Sequence, residues 1–342
     1  MERKLYTGID LHKLTSTLVT VDEAGTIVAH RKLKNETKRL RKYFSEMSAR
    51  HLAVVEATAG WYWVDDVLSE EGVDLKLAHA KQLKAISYAK VKTDKVDAKT
   101  LAQLLRVDLI PEAHKISRDR RGMRDIMRAR LRLVTRRTSC LNSIERIFEK
   151  HKVKTEEELP SSARLQLDGH RSCAEAFALE IKTLEQSLNG VATSDADVQR
   201  LLWIPGIGHI LSLTILFEID DISRFESEKR FYSYCRLVPG SNDSGGKHRH
   251  KRSKDGNRYL KLAFSTAAVQ AIRHYPEIRA VYRRLLKKKC APVARAIIAK
   301  ELAHIVYEVL RRKEDYDHMF KGRALSRTKS HTWPRLAPQR AC

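Results

Sequence analysis

Four carboxylates in the N-terminal third of the chain have the residue types and the spacing to bind metal ions. Asp10 ends an alternating apolar run, Glu56 ends a second apolar run, and Asp94 and Asp97 follow in a lysine-rich segment. The last two are three residues apart, so a helix would present both on one face. Mg²⁺ prefers such hard oxygen ligands. Two bound ions can hold the attacking and leaving oxygens of a phosphoryl transfer.

The same acids also have a plainer interpretation, in which they form ion pairs with neighbouring lysines. Lys92, Lys95 and Lys99 are close enough in sequence for this. His12 follows the first acid by two residues, and we interpret it as a neighbour of the site rather than a ligand. The order of the acids, on an early strand, a middle strand and a later helix, matches the ribonuclease H-like arrangement and favours the metal site.

A candidate nucleophile lies in the C-terminal half. Ser244 precedes two glycines and a dense run of cations. Glycine lets the backbone approach a ligand closely, and cations stabilise charge on a phosphate under attack. Ser241 is a close competitor, and a flexible basic surface loop is the alternative without catalysis. The cations expected to contact nucleic acid here are Lys247, Arg249, Lys251 and Arg252.

The composition indicates a polyanionic partner. The 342 residues contain 66 Lys and Arg against 42 Asp and Glu, a net charge of +24. Such an excess attracts nucleic acid. Nine arginines between Arg118 and Arg137 form either a solvated face or a phosphate-facing surface. The expected contacts there are Arg118, Arg121, Arg124 and Arg128.

A glycine-containing turn precedes an apolar helix at residues 210–217. Gly206 and Gly208 belong to this turn, which resembles the hairpin of helix-hairpin-helix DNA-binding modules. Glycines at a helix start let backbone N–H groups approach a phosphate. Both residues are therefore candidate nucleic-acid contacts, although Pro-Gly turns before helices are common.

Hydrophobic periodicity predicts an α/β region followed by a mostly helical one. Residues 1–115 contain three early strands and then helices alternating with strands, which predicts a mixed sheet with helices on its faces. Residues 116–195 carry helical spacing in two long runs joined near Pro160, which predicts a helical hairpin or coiled coil. Residues 196–320 are mostly helical, with a Gly/Ser/basic loop at 239–257, and residues 321–342 form a basic tail expected to be disordered.

The remaining sequence features exclude several classes of protein. The five cysteines are scattered without a CxxC pair, so a zinc or disulfide framework is not expected. No run approaches the 18 apolar residues of a membrane span, and the first residues lack a signal peptide's apolar run. We therefore expect a cytoplasmic, nucleoid-associated protein of a bacterial or archaeal cell.

Two sets of motifs carry a family resemblance over roughly residues 3–312. The N-terminal set is GIDLHK, VVEATAG and KTDKVDAK, and the C-terminal set is PGIGHILSLTILFEIDDISRF, YCRLVPGSNDSGGK and GNRYLKLAF. With both sets in this order, the sequence resembles the DEDD-type insertion-sequence transposases. That family includes the Piv-type DNA invertases and the bridge-RNA-guided recombinases.

The resemblance implies a fold and a mechanism. It implies a RuvC-like domain, a coiled-coil segment and a C-terminal catalytic domain. It also implies Mg²⁺ bound by Asp10, Glu56, Asp94 and Asp97, with Ser244 as the nucleophile. In the RNA-guided members a bridge RNA pairs with donor and target DNA. Four protomers assemble there, and each active site joins the acids of one subunit to the serine of another.

Three functions are compatible with these features. The leading hypothesis is a DNA transposase that forms a serine–DNA linkage, acting as a dimer or tetramer and guided by RNA. The second is a RuvC-like structure-specific endonuclease of the Holliday-junction resolvase type, in which metal-activated water attacks. The third is a nucleic-acid binder without catalysis, for which four placed acids in so basic a chain would be unusual.

Overall fold

The chain divides into two compact units, Met1–Ile116 and Ser117–Cys342. The computed structural model describes residues 4–47, 50–86, 93–244, 247–251 and 255–316. The basic tail at 321–342 therefore lies outside the described residues. In the part that is described, every helix is too short or too polar to cross a membrane.

A five-stranded mixed sheet forms the centre of the first unit. Its strand order is β3-β2-β1-β4-β5, with β1, β2 and β3 antiparallel and β1, β4 and β5 parallel. This confirms the predicted mixed α/β architecture and is consistent with a RuvC-like domain. The strands are β1 (Lys4–Leu11), β2 (Thr15–Val21), β3 (Ile27–Lys34), β4 (Arg50–Glu56) and β5 (Asp74–Ala78).

Helices cover both faces of this sheet. One face packs Ile9 and Val55 against apolar residues of α1 and α2, and the other packs Val54 against Leu101 and Leu105 of α4. The short helix α3 is not among the elements that the sequence predicts. The helices are α1 (Thr37–Ser45), α2 (Trp61–Glu70), α3 (Ala80–Ile86) and α4 (Asp94–Arg106).

Two long antiparallel helices begin the second unit, as the periodicity predicts. They are α5 (Arg118–His151) and α6 (Ser161–Ser194). The second helix passes through Gly190 and continues to Ser194. A glycine inside a helix costs only about 1 kcal/mol relative to alanine, so a helix with other good contacts passes through it.

The rest of the second unit is a helical bundle with one small hairpin. Phe231, Phe264 and Leu302 are fully buried in its core. The elements are α7 (Ala196–Leu202), α8 (His209–Ile219), a 3-10 turn (Ile222–Arg224), α9 (Glu228–Tyr234), β6 (Gly240–Ser244), β7 (Lys247–Lys251), α10 (Arg258–His274), α11 (Pro276–Leu286) and α12 (Ala291–Arg312).

The segment 239–257 differs from the loop that the sequence predicts. Strands β6 and β7 pair in antiparallel fashion, with Ser244 opposite Lys247. Only Gly245 and Gly246 separate them, and both lie outside the described residues. Gly-Gly between two strands is a signal for a two-residue hairpin. The signal is easily missed because the flanking residues are polar and lack a strand's usual apolar alternation.

Candidate active site and nucleic-acid interface

The parallel pairing of β1 and β4 places the first two acids side by side. Ile9 pairs with Val55, and the next residue on each strand is Asp10 and Glu56. Successive residues of a strand point to opposite faces. Because Ile9 and Val55 are buried against α1 and α2, the two acids lie on the opposite face, which α4 covers.

A glycine on β1 allows α4 to come close to these acids. Gly8 lies on the same face as Asp10, two residues earlier. A Cβ atom at Gly8 would be 2.0 Å from the Ala98 carbonyl oxygen and 2.6 Å from the Ala102 nitrogen. Only glycine fits such an approach of helix to strand. The first turn of α4 is thereby held on the face that carries Asp10.

The start of α4 carries the other two acids. Thr93 caps this helix, because its Oγ1 accepts a hydrogen bond from the Val96 nitrogen at 3.3 Å. Asp94 and Asp97 both lie in the first turn. Negative charge is stabilised at this end of a helix, where free N–H groups point outward. The local sequence therefore favours a helix that starts here with two acids in its first turn.

His12 lies between two of the acids. Its Nε2 is 3.0 Å from Asp10 Oδ2 and 3.3 Å from Asp94 Oδ1. One ligand atom from each of these three residues can be chosen so that all lie within 4.8 Å of one another. The sequence favours His12 only as a neighbour of the site. The geometry makes it a member of a group that could hold a metal ion.

A lysine that the sequence does not single out binds one of these acids. Lys32 Nζ donates a hydrogen bond to Asp94 Oδ2 at 2.9 Å. The sequence suggests only adjacent lysines as partners, whereas this one comes from β3. The strand register explains its position, because Asp10 pairs with Thr17 and Thr17 pairs with Lys32 across the sheet. Only the strand pairing, which the sequence pattern does not specify, would have revealed it.

Negative charge is crowded among the four acids Asp10, Glu56, Asp94 and Asp97, which we call the acidic group. Burial raises the pKa of the Asp10 carboxyl, and the charges of Asp97 and Asp94 raise that pKa further, against the opposing effect of His12. The pKa of Asp94 is lowered, chiefly by its hydrogen bond from Lys32. Asp97 is therefore close enough to act on Asp10, and the strand register places Glu56 beside it.

The surroundings of one carboxylate oxygen indicate whether the acidic group suits a metal ion. Asp10 Oδ2 is shielded from solvent and accepts no well-oriented hydrogen bond from the described residues, although His12 Nε2 lies 3.0 Å away. A buried carboxylate oxygen needs a compensating partner. Several carboxylates with one shielded oxygen form a donor set that suits a hard divalent cation. The residues present therefore fit such an ion.

The candidate serines lie on the hairpin of β6 and β7. Ser244 pairs with Lys247, and Ser241 pairs with His250 three residues further from the turn. The cations at Arg249 and Lys251 also lie on β7. Arg252 lies outside the described residues. The hairpin thus joins Ser244 and three of the four predicted cations in one two-stranded element.

The arginine-rich part of α5 is not one uniform outward face. Arg118 is exposed and Arg124 is partly exposed, but Arg121 is only 6% exposed. Arg128 donates two hydrogen bonds to Glu218, at 2.6 and 2.7 Å. Further along the helix, exposed arginines form no ion pair with a described residue, and these are Arg132, Arg136 and Arg137.

The two glycines of the predicted turn have different roles. Gly206 has a φ of +81°, and a Cβ there would lie 2.3 Å from the Ala267 carbonyl oxygen. It is therefore required for packing against α10. Gly208 precedes α8 without a side-chain cap and has open space around its Cα. Both line a cleft of about 920 Å³ between α5, α8 and α10.

A further group of exposed cations escaped the sequence reasoning. The end of α11 and the residues after it expose five of them within seven positions, Arg283, Arg284, Lys287, Lys288 and Lys289. Their signal is present in the sequence as a run of like charges. It is less conspicuous than the denser runs at α5 and at the serine hairpin.

Two family models match this chain. The model of the DEDD transposase domain of IS110 elements, described as a transposase, matches residues 7–152. The model described as "Transposase IS116/IS110/IS902 family" matches residues 198–283. The first segment contains the four acids and the second contains Ser244.

Similar proteins extend along most of the chain. The "Probable family 20 transposase" of Pseudomonas aeruginosa is 24% identical over 338 residues, covering 90% of this chain and 97% of the relative. The transposase for insertion sequence element IS1111A of Coxiella burnetii is 24% identical over 338 residues, covering 90% of each. A putative transposase of Sinorhizobium fredii is 23% identical over 340 residues, covering 92% of this chain and 86% of the relative. With two models of one family matched in chain order, the chain belongs to the IS116/IS110/IS902 family of transposases.

Proposed function

We propose that this insertion-sequence transposase cuts and rejoins DNA through a covalent ester between Ser244 and a DNA phosphate, with Mg²⁺ bound at the acidic group. The observation that carries the metal site is the convergence of Asp10, His12 and Asp94, with one shielded carboxylate oxygen. Several carboxylates close together in a basic chain, one of them with an oxygen shielded from solvent, suit a hard divalent cation.

The acidic group would supply electrostatic assistance to the reaction. Asp10, Glu56, Asp94 and Asp97 would hold the cation, and the position of His12 makes it a further donor. A bound divalent cation polarises a phosphate oxygen and stabilises charge that develops on it. Lys32 donates a hydrogen bond to Asp94 and lowers the pKa of its carboxyl.

Ser244 would act as a nucleophile in a balanced exchange of ester bonds. Its Oγ forms a bond to phosphorus while the bond from phosphorus to one sugar oxygen breaks. The hydroxyl proton leaves the serine, and the departing sugar oxygen gains a proton. A sugar hydroxyl of a new strand then reverses these steps at the same phosphorus. The covalent intermediate conserves the ester bond, so rejoining needs no external energy source.

The register of the hairpin supports Ser244 over Ser241. Directly paired residues of an antiparallel ladder lie opposite each other. Ser244 is paired with Lys247 next to the turn, whereas Ser241 is paired with His250. This pairing supports Ser244, because a cation beside the nucleophile would attract the phosphate.

The proposed partners are nucleic acids and further copies of this chain. Donor and target DNA would contact the cations of the hairpin and the exposed arginines of α5, and a bridge RNA would select the sequences. We propose a homodimer or homotetramer. The helical hairpin at 116–195 would form one functional part and the transposase domain at 196–320 another.

A trapping experiment tests this mechanism. Protein is incubated with a nicked suicide DNA substrate and Mg²⁺, and the adduct is digested for mass spectrometry. The expected result is DNA attached to Ser244, no adduct from Ser244→Ala, and a normal adduct from the matched control Ser241→Ala. An adduct at Ser241, or strand exchange by Ser244→Ala, would overturn the proposal and favour a metal-dependent endonuclease with water as nucleophile.

A further inference from the structure

The two ends of the segment that carries the hairpin are tied together. The Asn257 nitrogen donates a hydrogen bond to the Tyr234 carbonyl oxygen at 2.6 Å. Arg236 Nε donates to the Gly256 carbonyl oxygen at 2.7 Å. Gly256 has a φ of +103°, and a Cβ there would lie 2.5 Å from the Tyr234 oxygen. The segment therefore leaves and re-enters the helical bundle at one closed point.

The side chain of Asn257 connects this closed point to two helices. Its Oδ1 accepts hydrogen bonds from the nitrogens of Tyr259 and Leu260, at 2.8 and 3.1 Å, and so caps α10. Its Nδ2 donates to Glu218 Oε2 at 2.7 Å. One amide thus fixes both the start of α10 and a contact with α8.

Glu218 continues this network to α5. Its side chain is 1% exposed, and Arg128 donates to both of its oxygens. Such bidentate pairs are directional as well as strong. The Arg128 guanidinium also lies 4.5 Å from the centre of the Tyr259 ring. The network therefore crosses from the long helix α5 to the base of the hairpin without interruption.

The chemistry of the network indicates a role in positioning. A buried ion pair often adds little net stability, because removing two charges from water is costly. Apolar side chains would fill the same space as well. What the charged network adds is a fixed direction and distance between the elements that it joins.

We infer that Arg128, Glu218 and Asn257 form a positioning device that fixes the base of the hairpin relative to α5 and thereby sets the approach of Ser244 to its phosphate. This inference rests on the proposed nucleophile. Misplacing a reacting group by about 1 Å can reduce a rate about 100-fold. Loss of the network should therefore slow the attack by Ser244 more than it weakens DNA binding.

The same helix offers a matched control. Arg130 Nε donates to Glu185 Oε1 at 2.6 Å, which pairs α5 with α6 rather than with the hairpin. Glu185→Gln removes the charge of an ion pair on α5, as Glu218→Gln does. A second test variant, Asn257→Ser, keeps an oxygen that can cap α10 but replaces the Nδ2 amide that reaches Glu218 with a shorter hydroxyl.

The experiment compares these variants in the full-length protein by three measurements. Adduct formation on the suicide substrate is timed at saturating DNA, DNA affinity is measured separately, and hydrogen exchange is followed in the amides of β6 and β7. For Glu218→Gln and Asn257→Ser we expect adduct formation about 10–100-fold slower, with affinity within about twofold and faster exchange in the hairpin. Glu185→Gln should match the wild type in all three.

Different results would contradict the proposed nucleophile and the proposed positioning device. If Ser244→Ala still forms the adduct, the proposed nucleophile is wrong. If Ser244→Ala forms none but both network variants react at the wild-type rate, the nucleophile stands and the positioning device is refuted. Equal slowing in Glu185→Gln would also refute it. If Glu218→Gln fails to fold, Asn257→Ser alone decides, and its hydrogen exchange gives an answer that does not depend on catalysis.

Discussion

The acidic group and the serine hairpin are held in place by different kinds of structure. Asp10 and Glu56 end adjacent strands of a five-stranded sheet with helices on both faces. Ser244 ends one strand of a two-stranded hairpin, whose base is tied to the bundle by a few side chains. An isolated two-stranded hairpin is marginally stable in water, whereas a larger sheet packed against helices is not.

Because of this difference, the chemistry of the acids and the positioning of the serine can be altered by separate substitutions. In the first unit the backbone fixes the acids, so an isosteric change of one carboxylate should remove chemistry and leave the fold intact. In the second unit side chains fix the element that carries the proposed nucleophile. A change remote from Ser244 can therefore alter its reaction. We therefore expect substitutions of the acids to remove chemistry without altering the fold, and substitutions near the base of the hairpin to alter the positioning of Ser244. The following experiments test both expectations.

The largest effect is expected from the carboxylates themselves. Each of Asp10→Asn, Glu56→Gln, Asp94→Asn and Asp97→Asn should abolish strand cleavage in Mg²⁺ while DNA binding persists, because in the proposed mechanism the acids hold the cation and other surfaces hold phosphates. Cleavage and binding assays on each variant check this.

Asp108→Asn is the control for charge alone. Asp108 is an exposed acid of the same unit that pairs with Lys76 at 3.0 Å, on a strand at the sheet's edge. The Asp108→Asn variant should cleave DNA like the wild type. Any of the four variants that kept near-wild-type cleavage would remove its residue from the site.

The next largest effect concerns the packing that holds the acids. Gly8→Ala would force a methyl group against the backbone of α4, and such overpacking costs about 1–3 kcal/mol. Gly122→Ala, on α5 with open space around it, should instead be neutral or stabilise by up to about 1 kcal/mol. Urea unfolding curves measure both. Equal stability of the two variants would show that α4 is not held by this contact.

The features that depend on local pattern could be predicted from the sequence. Strand ends, and a spacing of three residues on a helix, are enough to locate the four acids. Helical periodicity likewise predicts the pair of long helices. Both signals lie within a few residues of the side chains concerned.

The contacts that the sequence does not predict join residues distant in the chain. Lys32 reaches Asp94 only through the register of three strands, and Arg128 meets Glu218 across 90 positions. The hairpin escapes prediction because its residues are polar. Charge density makes Arg128 a candidate phosphate contact, but it does not predict the pairing of its guanidinium with Glu218.

A smaller effect is expected from the metal ion on stability. A ligand that binds only the folded state at ten times its dissociation constant stabilises that state by about 1.4 kcal/mol. Mg²⁺ should therefore raise the melting temperature, and chelation should reverse this. The increase should be absent in Asp10→Asn and unchanged in Ser244→Ala. An equal increase in Asp10→Asn would place the ion elsewhere.

The smallest effect per residue concerns the cations, and it distinguishes the two regions by salt dependence. Each phosphate contact on duplex DNA contributes about −0.9 to the slope of log affinity against log salt, because bound counterions are released. Lys247→Gln, Arg249→Gln and Lys251→Gln should each make the slope shallower by about 0.9, if each residue contacts one phosphate. Asp10→Asn should leave the slope unchanged, since its carboxylate contacts no phosphate directly. Titrations of DNA binding from low to moderate salt measure these slopes. If the hairpin variants keep the wild-type slope while Arg132→Gln reduces it, DNA would contact α5 and not the hairpin. The cations of the hairpin would then no longer support Ser244 as the nucleophile.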